Sequence, residues 1–353
     1  MPSTGYLLVV RERELSNTDH FVSYNLIRVF ATVSVVVVHA TITAVINGVP
    51  GKSMLWLVGN AVESIARTGI PLFLMLTGAL LLPKAESGIT FITKRYKRIF
   101  IPFFFWSAVY LVAKFPIKEL RIQDVANVLL YGASYQFWYV YVVAGIYLLM
   151  PFIKPFLEKT DPGLLKWLFV IWLTCFTIPF FIKEGIVLTT NQFILYSGYV
   201  ATGYILSDFL RKKRLTGKQR IIAYAAFAGG TLLTFAGTHF LSLKEGRLIT
   251  TFYESTMPHI FLKAVGTFVL LFDLAVLLSA KAAKLVNWMS KYSFGVFMVH
   301  PLVLDHILVS RLGITTSYMH PIVGIFLSSF LGLGISYLLI YLLSRLPFGK
   351  YSY

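Results

Sequence analysis

Apolar residues in this chain come in long, nearly unbroken runs separated by short polar connections, instead of the spaced patterns of half-buried elements. A helical bilayer crossing takes about 20 residues. Ten runs approach or exceed that length: 24–46, 60–82, 98–115, 136–153, 164–182, 193–210, 220–241, 258–280, 292–310 and 319–343. Backbone polar groups cannot be left unpaired against lipid, so each run is predicted to be a helix. The expected fold is all-α: a polytopic integral membrane helix bundle of about ten transmembrane helices. Residues 1–23 and 344–353 read as tails around one membrane domain, 24–343. No internal repeat or low-complexity linker divides that domain.

Composition narrows the class further. The chain is 57% hydrophobic and only 13% charged, with a mean hydropathy of +0.74, which excludes a soluble catalytic domain. Its basic residues fix an orientation. The two tails and the second, fourth, sixth and eighth loops hold 21 Lys and Arg, against 8 in the other five loops, so both termini are expected in the cytoplasm. The net charge of +17 is then mostly topology and contact with lipid headgroups. Scattered among short loops, it forms no groove for a nucleic acid, and none is expected as a partner. The stretch Tyr6–Val10 is too short for a signal-peptide core, so the N-terminal segment reads as a cytoplasmic tail. Cys175, the single cysteine, lies in an apolar run and reads as a buried structural thiol.

Three basic residues, Arg28, Arg67 and Lys263, fall inside or at the edge of predicted spans. The first run, "NLIRVFATVSVVVVHA", carries Arg28 and His39 eleven positions apart. In a helix this is about 16 Å of rise and about three full turns, which puts both on one face. With the N-terminus inside, Arg28 sits at the cytoplasmic end and His39 in the outer half. Either alone has an ordinary explanation, a snorkelling arginine or a helix-packing histidine. Aligned on one stripe, they read as a functional site.

Other polar residues in the spans have weaker patterns. Glu63 precedes Arg67 by one helical turn, a favourable ion-pair spacing. His300 precedes Pro301, a residue that kinks helices and frees a carbonyl. Trp138 and Tyr141 open the fourth span, where an interfacial aromatic belt is the default. Asp305 and Glu63 are candidates to orient an imidazole, and Asp273 has only Lys263, ten residues away, as a conceivable partner on its own helix. The seven histidines are scattered and no ligand spacing occurs, so no metal site is predicted. No Walker or G-x-S-x-G sequence is present, which argues against an ATP-driven pump or a serine hydrolase.

The order of these segments resembles the membrane-bound acyltransferase-3 family. Its first span carries an arginine, ten intervening residues and a histidine, as Arg28 and His39 do. "RTGIPLFLMLTGALLLP" (67–83) is similar to its second span, and "RYKR" (95–98) to its Arg-x-x-Arg motif. "QFWYVYVVAGIYLLMPFIKP" (136–155) and "SKYSFGVFMVHPLVL" (290–304) are similar to its fourth and late spans. The resemblance is greatest to short bacterial members, of the kind that O-acetylate enterobacterial common antigen.

That resemblance implies an O-acetyltransferase of the bacterial inner membrane. It would move an acetyl group from acetyl-CoA, a donor substrate and not a resident cofactor, to an envelope glycan or a lipid-linked saccharide. His39 would be catalytic, either as general base or as a transient acyl carrier. Arg28, Arg95, Arg98 and Lys94 would hold the phosphates of acyl-CoA, the last three at a cytoplasmic helix start that itself favours anions. Arg67, Trp138, Tyr141 and His300 become candidates for the substrate pocket. The competing class is a secondary transporter or exporter of a glycan lipid, which would also have about ten spans but tends to show paired broken helices.

Overall fold

The computed structural model describes residues 17–84, 86, 88–114, 121–181, 192–213 and 215–353. Its regular structure among these is helical, with no strand. Among the described residues, eight helical segments are long and apolar enough to cross a membrane: His20–Asn47, Met54–Leu81, Gly88–Ala113, Tyr135–Lys159, Gly217–Glu245, Thr251–Ala275, Ala280–Val309 and Pro321–Leu343. The chain is a multi-pass membrane protein. The other two predicted runs lie in α7 (Pro162–Phe181) and α8 (Gln192–Lys212), of which α7 contributes a shorter apolar stretch, Gly163–Thr174. The expectations for Cys175 and for the tail segment Tyr6–Val10 fall on residues or side chains outside those described.

The first helix, α1 (Asn17–Asn47), starts seven residues before the apolar run does, because a helix continues past the hydrocarbon wherever its polar turns find partners. It is the centre of the bundle. Around it pack α2 (Met54–Ala66), α3 (Gly69–Leu81), α10 (Pro258–Ala275), α11 (Ala280–Pro301) and α12 (Pro321–Leu343).

The second predicted span is broken. α2 ends at Arg67, whose backbone N–H is held by the Glu63 carbonyl, and α3 begins at Gly69. Gly69 permits the close approach there: a Cβ would sit 2.9 Å from the Ala31 carbonyl oxygen of α1. The ion pair predicted from spacing forms, with Arg67 Nη2 2.5 Å from Glu63 Oε2. Beyond the break α3 crosses α8 at backbone distance. A Cβ on Gly78 would lie 1.8 Å from the Val200 oxygen, and one on Gly203 2.0 Å from the Met75 oxygen. Small residues at both points let the helices touch, which in lipid is the main source of helix affinity.

Helix α4 (Gly88–Lys114) begins nearly three turns before the apolar run, so Arg95 and Arg98 lie within it and not at its start. The expected assistance from a helix N-terminus is therefore absent at these arginines, since that effect fades within the first turn. Helix α5 (Ile122–Tyr131) was not predicted, being half the length of a span. It leaves Ile122, Val125 and Leu130 exposed, the signature of a helix lying in the membrane interface. A 3-10 turn, Tyr135–Phe137, leads into α6 (Trp138–Lys159).

Helix α9 (Gly217–Glu245) opens on a Thr216–Gln219 capping box and packs along α10. This resolves Asp273. It accepts hydrogen bonds from Arg220 Nε (3.0 Å) and the Tyr224 hydroxyl (2.8 Å) of α9. Lys263 instead turns to the Ser64 carbonyl at the end of α2. The last residues dock on the bundle: Ser352 is buried and its carbonyl accepts from Trp106 Nε1 of α4 at 2.9 Å.

Candidate functional site

Pro301 shapes the site. Proline lacks an N–H, so the carbonyl of Phe297, four residues earlier, has no helical donor. The His300 ring takes it, with Nδ1 2.8 Å from the Phe297 oxygen and 3.3 Å from that of Val296. A carbonyl can only accept, so Nδ1 carries the proton and Nε2 the lone pair. The chain continues as a π-helical segment, Leu302–Val309. Leu302 N–H turns to Val299 O and to the Tyr110 hydroxyl. The Met298 carbonyl, left free in turn, accepts from Tyr110 Oη (3.0 Å) and Gln136 Nε2 (3.0 Å). One proline thus sets the orientation of a histidine, a tyrosine and a glutamine.

His300 stacks on His39, with ring centroids 5.2 Å apart and planes 28° apart. On another side the Tyr135 ring lies 4.7 Å from His39. Tyr135 is hydrogen-bonded to Asp305, so this carboxylate reaches the histidine's surroundings through the tyrosine. Glu63 does not. It is fully buried between Arg67 and the Thr41 hydroxyl, which donates to Oε1 at 2.8 Å.

His39 lines a cavity of about 340 Å³. Its walls include Arg67 and Gly69 at the helix break, Gln136 and Trp138 at the start of α6, and Tyr253, Glu254 and Ser255 between α9 and α10. Arg67 stands 4.3 Å over the Tyr253 ring. Aromatic faces and a few polar groups around one imidazole suit a hydroxylated, partly apolar ligand. Among the sequence candidates, His39, Arg67 and Trp138 share this cavity, and His300 backs it through His39. Tyr141 lies elsewhere, its ring 5.5 Å from Phe103.

The arginines gather at the other end of α1. Arg28 Nη1 donates to Ser290 Oγ (2.8 Å) and Asn25 Oδ1 (3.2 Å), and it has no carboxylate partner among the described residues. It feels the charge of Arg98, and Tyr147 of α6 lies within electrostatic reach of Arg28, Arg95 and Arg98 together. Arg98 is exposed and has no ion pair among the described residues. Arg95 is almost fully buried and pairs with Glu86 at 2.9 Å; the exposed Lys94 pairs with the same carboxylate at 3.0 Å. Hydrogen bonding from Lys94, and then the charges of Arg95, Lys94 and Lys84, hold the Glu86 carboxyl below its ordinary range. Lys84 is itself pushed below the ordinary lysine range, by burial first and then by Arg95.

Sequence reasoning passed over Tyr110, Tyr135 and Gln136. A polar glutamine heading the aromatic run "QFWYVY" is the one signal that pointed there. Against known proteins, a family profile described as an acyltransferase domain matches residues 21–341. No curated protein and no solved structure gives a match to the chain.

Proposed function

This chain belongs to the membrane-bound acyltransferase-3 family, and from that premise we propose that it moves an acetyl group from cytoplasmic acetyl-CoA to a hydroxyl of a cell-envelope glycan or glycolipid. The observation that carries the reading is the division of labour along α1. Two arginines without acidic partners among the described residues stand at one end. A cavity-lining histidine stands about 16 Å away at the other, a gap the pantetheine arm of acetyl-CoA can bridge.

Arg28 and Arg98 supply the charge that a polyphosphate donor needs. Lys94 and Arg95 add to it, with Glu86 as a resident anion that the phosphates displace. The thioester then lies at His39 and the acceptor sugar in the cavity, against Trp138, Tyr253 and Arg67. His39 takes the proton of the attacking hydroxyl, its oxygen bonds to the acetyl carbon, and the carbon–sulfur bond breaks. The departing thiolate recovers the proton from the imidazolium. In the two-step form the acetyl group rests on His39 before the same hydroxyl removes it, with the same overall balance.

Eight or ten crossings both return the C-terminus to the side of the N-terminus, and the basic loops favour the cytoplasm as that side, in keeping with a bacterial inner membrane. We count ten, with α7 and α8 as the fifth and sixth. Export of a glycan lipid is the second reading, favoured by the broken α2–α3 helix at the cavity. The two separate by mass spectrometry of envelope glycans from cells with and without the gene. Acyl transfer predicts ester-linked acetyl groups that depend on the gene; export predicts unchanged ester content and a changed amount of surface glycan.

A further inference from the structure

Gln136 is 1% exposed and is part of the wall of the His39 cavity. Its amide has a determined orientation. Nε2 lies 3.0 Å from the Met298 carbonyl and 3.2 Å from the Tyr110 hydroxyl. A carbonyl accepts only, so the nitrogen must be on that side and Oε1 on the other. Oε1 is buried and has no hydrogen-bond partner among the described residues. A buried acceptor left without a donor keeps the full cost of its desolvation, and native proteins leave few of them.

Gln136 shares the cavity wall with His39. Tyr135, its neighbour, lies against the His39 ring, and Trp138, two residues on, shares the cavity. A ligand that brings a hydroxyl to His39 therefore comes within reach of Gln136 as well. The reacting hydroxyl has one proton, and His39 takes it. The donor for Oε1 must therefore be a second group on the ligand.

We propose that Gln136 is an acceptor-recognition residue, its Oε1 taking a hydrogen bond from a second O–H or N–H on the acceptor beside the hydroxyl that His39 deprotonates. This rests on the acyl-transfer reading and sharpens it. The acceptor class becomes a vicinal diol or an N-acylated amino sugar, and a simple monohydric alcohol is disfavoured. Discrimination by a buried polar group deprived of its partner is the strong kind, since the analogue lacking the donor leaves the site unpaired.

The test compares the full-length protein with Gln136→Met, Gln136→Glu and Tyr110→Phe. Each is expressed in cells for ester content of envelope glycans per unit of protein, and purified for acetyl-CoA hydrolysis without acceptor. Gln136→Met is expected to lower ester content by about tenfold, equivalent to about 1.4 kcal/mol, while hydrolysis stays within about twofold. Gln136→Glu, protonated in this setting, keeps both a donor to Met298 and an oxygen for the acceptor, and is expected to restore most of the transfer. Tyr110→Phe removes one of the two groups that hold Nε2 but leaves Oε1 in place, and is expected to lower ester content by clearly less than Gln136→Met does.

Unchanged ester content in Gln136→Met overturns the proposal. So does an equal fall in Tyr110→Phe, which makes the role structural, or a parallel loss of acetyl-CoA hydrolysis, which moves the contact to the donor. If the unaltered protein itself gives neither ester nor hydrolysis, the acyl-transfer reading fails first.

Discussion

The imidazoles of His39 and His300 stack with centroids 5.2 Å apart, and the second ring is held in one tautomer by carbonyls of its own helix. The stack joins α1 to α11, two helices that meet only through the fold. Restoring a backbone N–H with Pro301→Ala gives the Phe297 carbonyl back its helical donor and releases His300 Nδ1. Transfer is expected to fall by about tenfold in kcat with the acetyl-CoA KM little changed, because a loosened imidazole costs positioning and not donor affinity. Steady-state kinetics in detergent micelles checks this, and an unaltered kcat removes His300 from the account.

At the other end, Arg28 and Arg98 stand without acidic partners among the described residues. Arg28→Ala and Arg98→Ala should each weaken acetyl-CoA binding by about tenfold or more, the worth of a charge-assisted hydrogen bond to phosphate, with hydrolysis at saturating donor largely kept. Isothermal titration with CoA reads the binding directly. Affinity that does not respond to either substitution rules out the clamp.

Glu86 holds Lys94 and Arg95 while no donor is bound. Glu86→Gln is expected to tighten CoA binding by freeing both cations. The group's pKa is lowered in the fold, so its ion pairs are fully present above the ordinary carboxylate value of 4.5 and are lost as the pH falls below it. The effect of Glu86→Gln on CoA affinity should accordingly be constant above about pH 5.5 and should shrink only as the pH falls through the lowered value of the folded group, below 4.5. A CoA titration series across that range measures it.

The buried Glu63 holds Arg67 at the helix break. Glu63→Ala strands a partly buried guanidinium and the Thr41 hydroxyl, and should destabilise the protein by about 3 kcal/mol. The double change Glu63→Leu with Arg67→Met should recover much of that loss while leaving transfer impaired, since Arg67 faces the cavity. Unfolding in detergent, followed by circular dichroism, separates stability from activity in the pair.

Much of this arrangement was legible in the sequence because span length, basic loops and helical spacing are local quantities. The Arg28–His39 stripe and the Glu63–Arg67 pair need only the geometry of one helix. Asp273 was opaque because its partners, Arg220 and Tyr224, come from the neighbouring α9. The break at Arg67–Thr68 escaped for a related reason: Gly69 and Pro71 are tolerated inside membrane helices, and the close approach at Gly69 depends on α1. The same holds for Gln136, whose meaning comes from Tyr110 and Met298, 26 and 162 residues away in the chain. Arg95 of "RYKR" was legible as a cation for the donor, but its ion pair with Glu86, nine residues earlier, appears only in the folded chain.

The central claim is that His39 handles the acetyl group. Its most direct test is the ester-linked acetyl content of envelope glycans, by mass spectrometry, from cells making either the unaltered protein or His39→Ala at matched abundance. Loss of a general base or acyl carrier should cut transfer by about 100-fold or more while CoA still binds the purified variant. Glycans that keep their acetyl esters in the His39→Ala cells would contradict it.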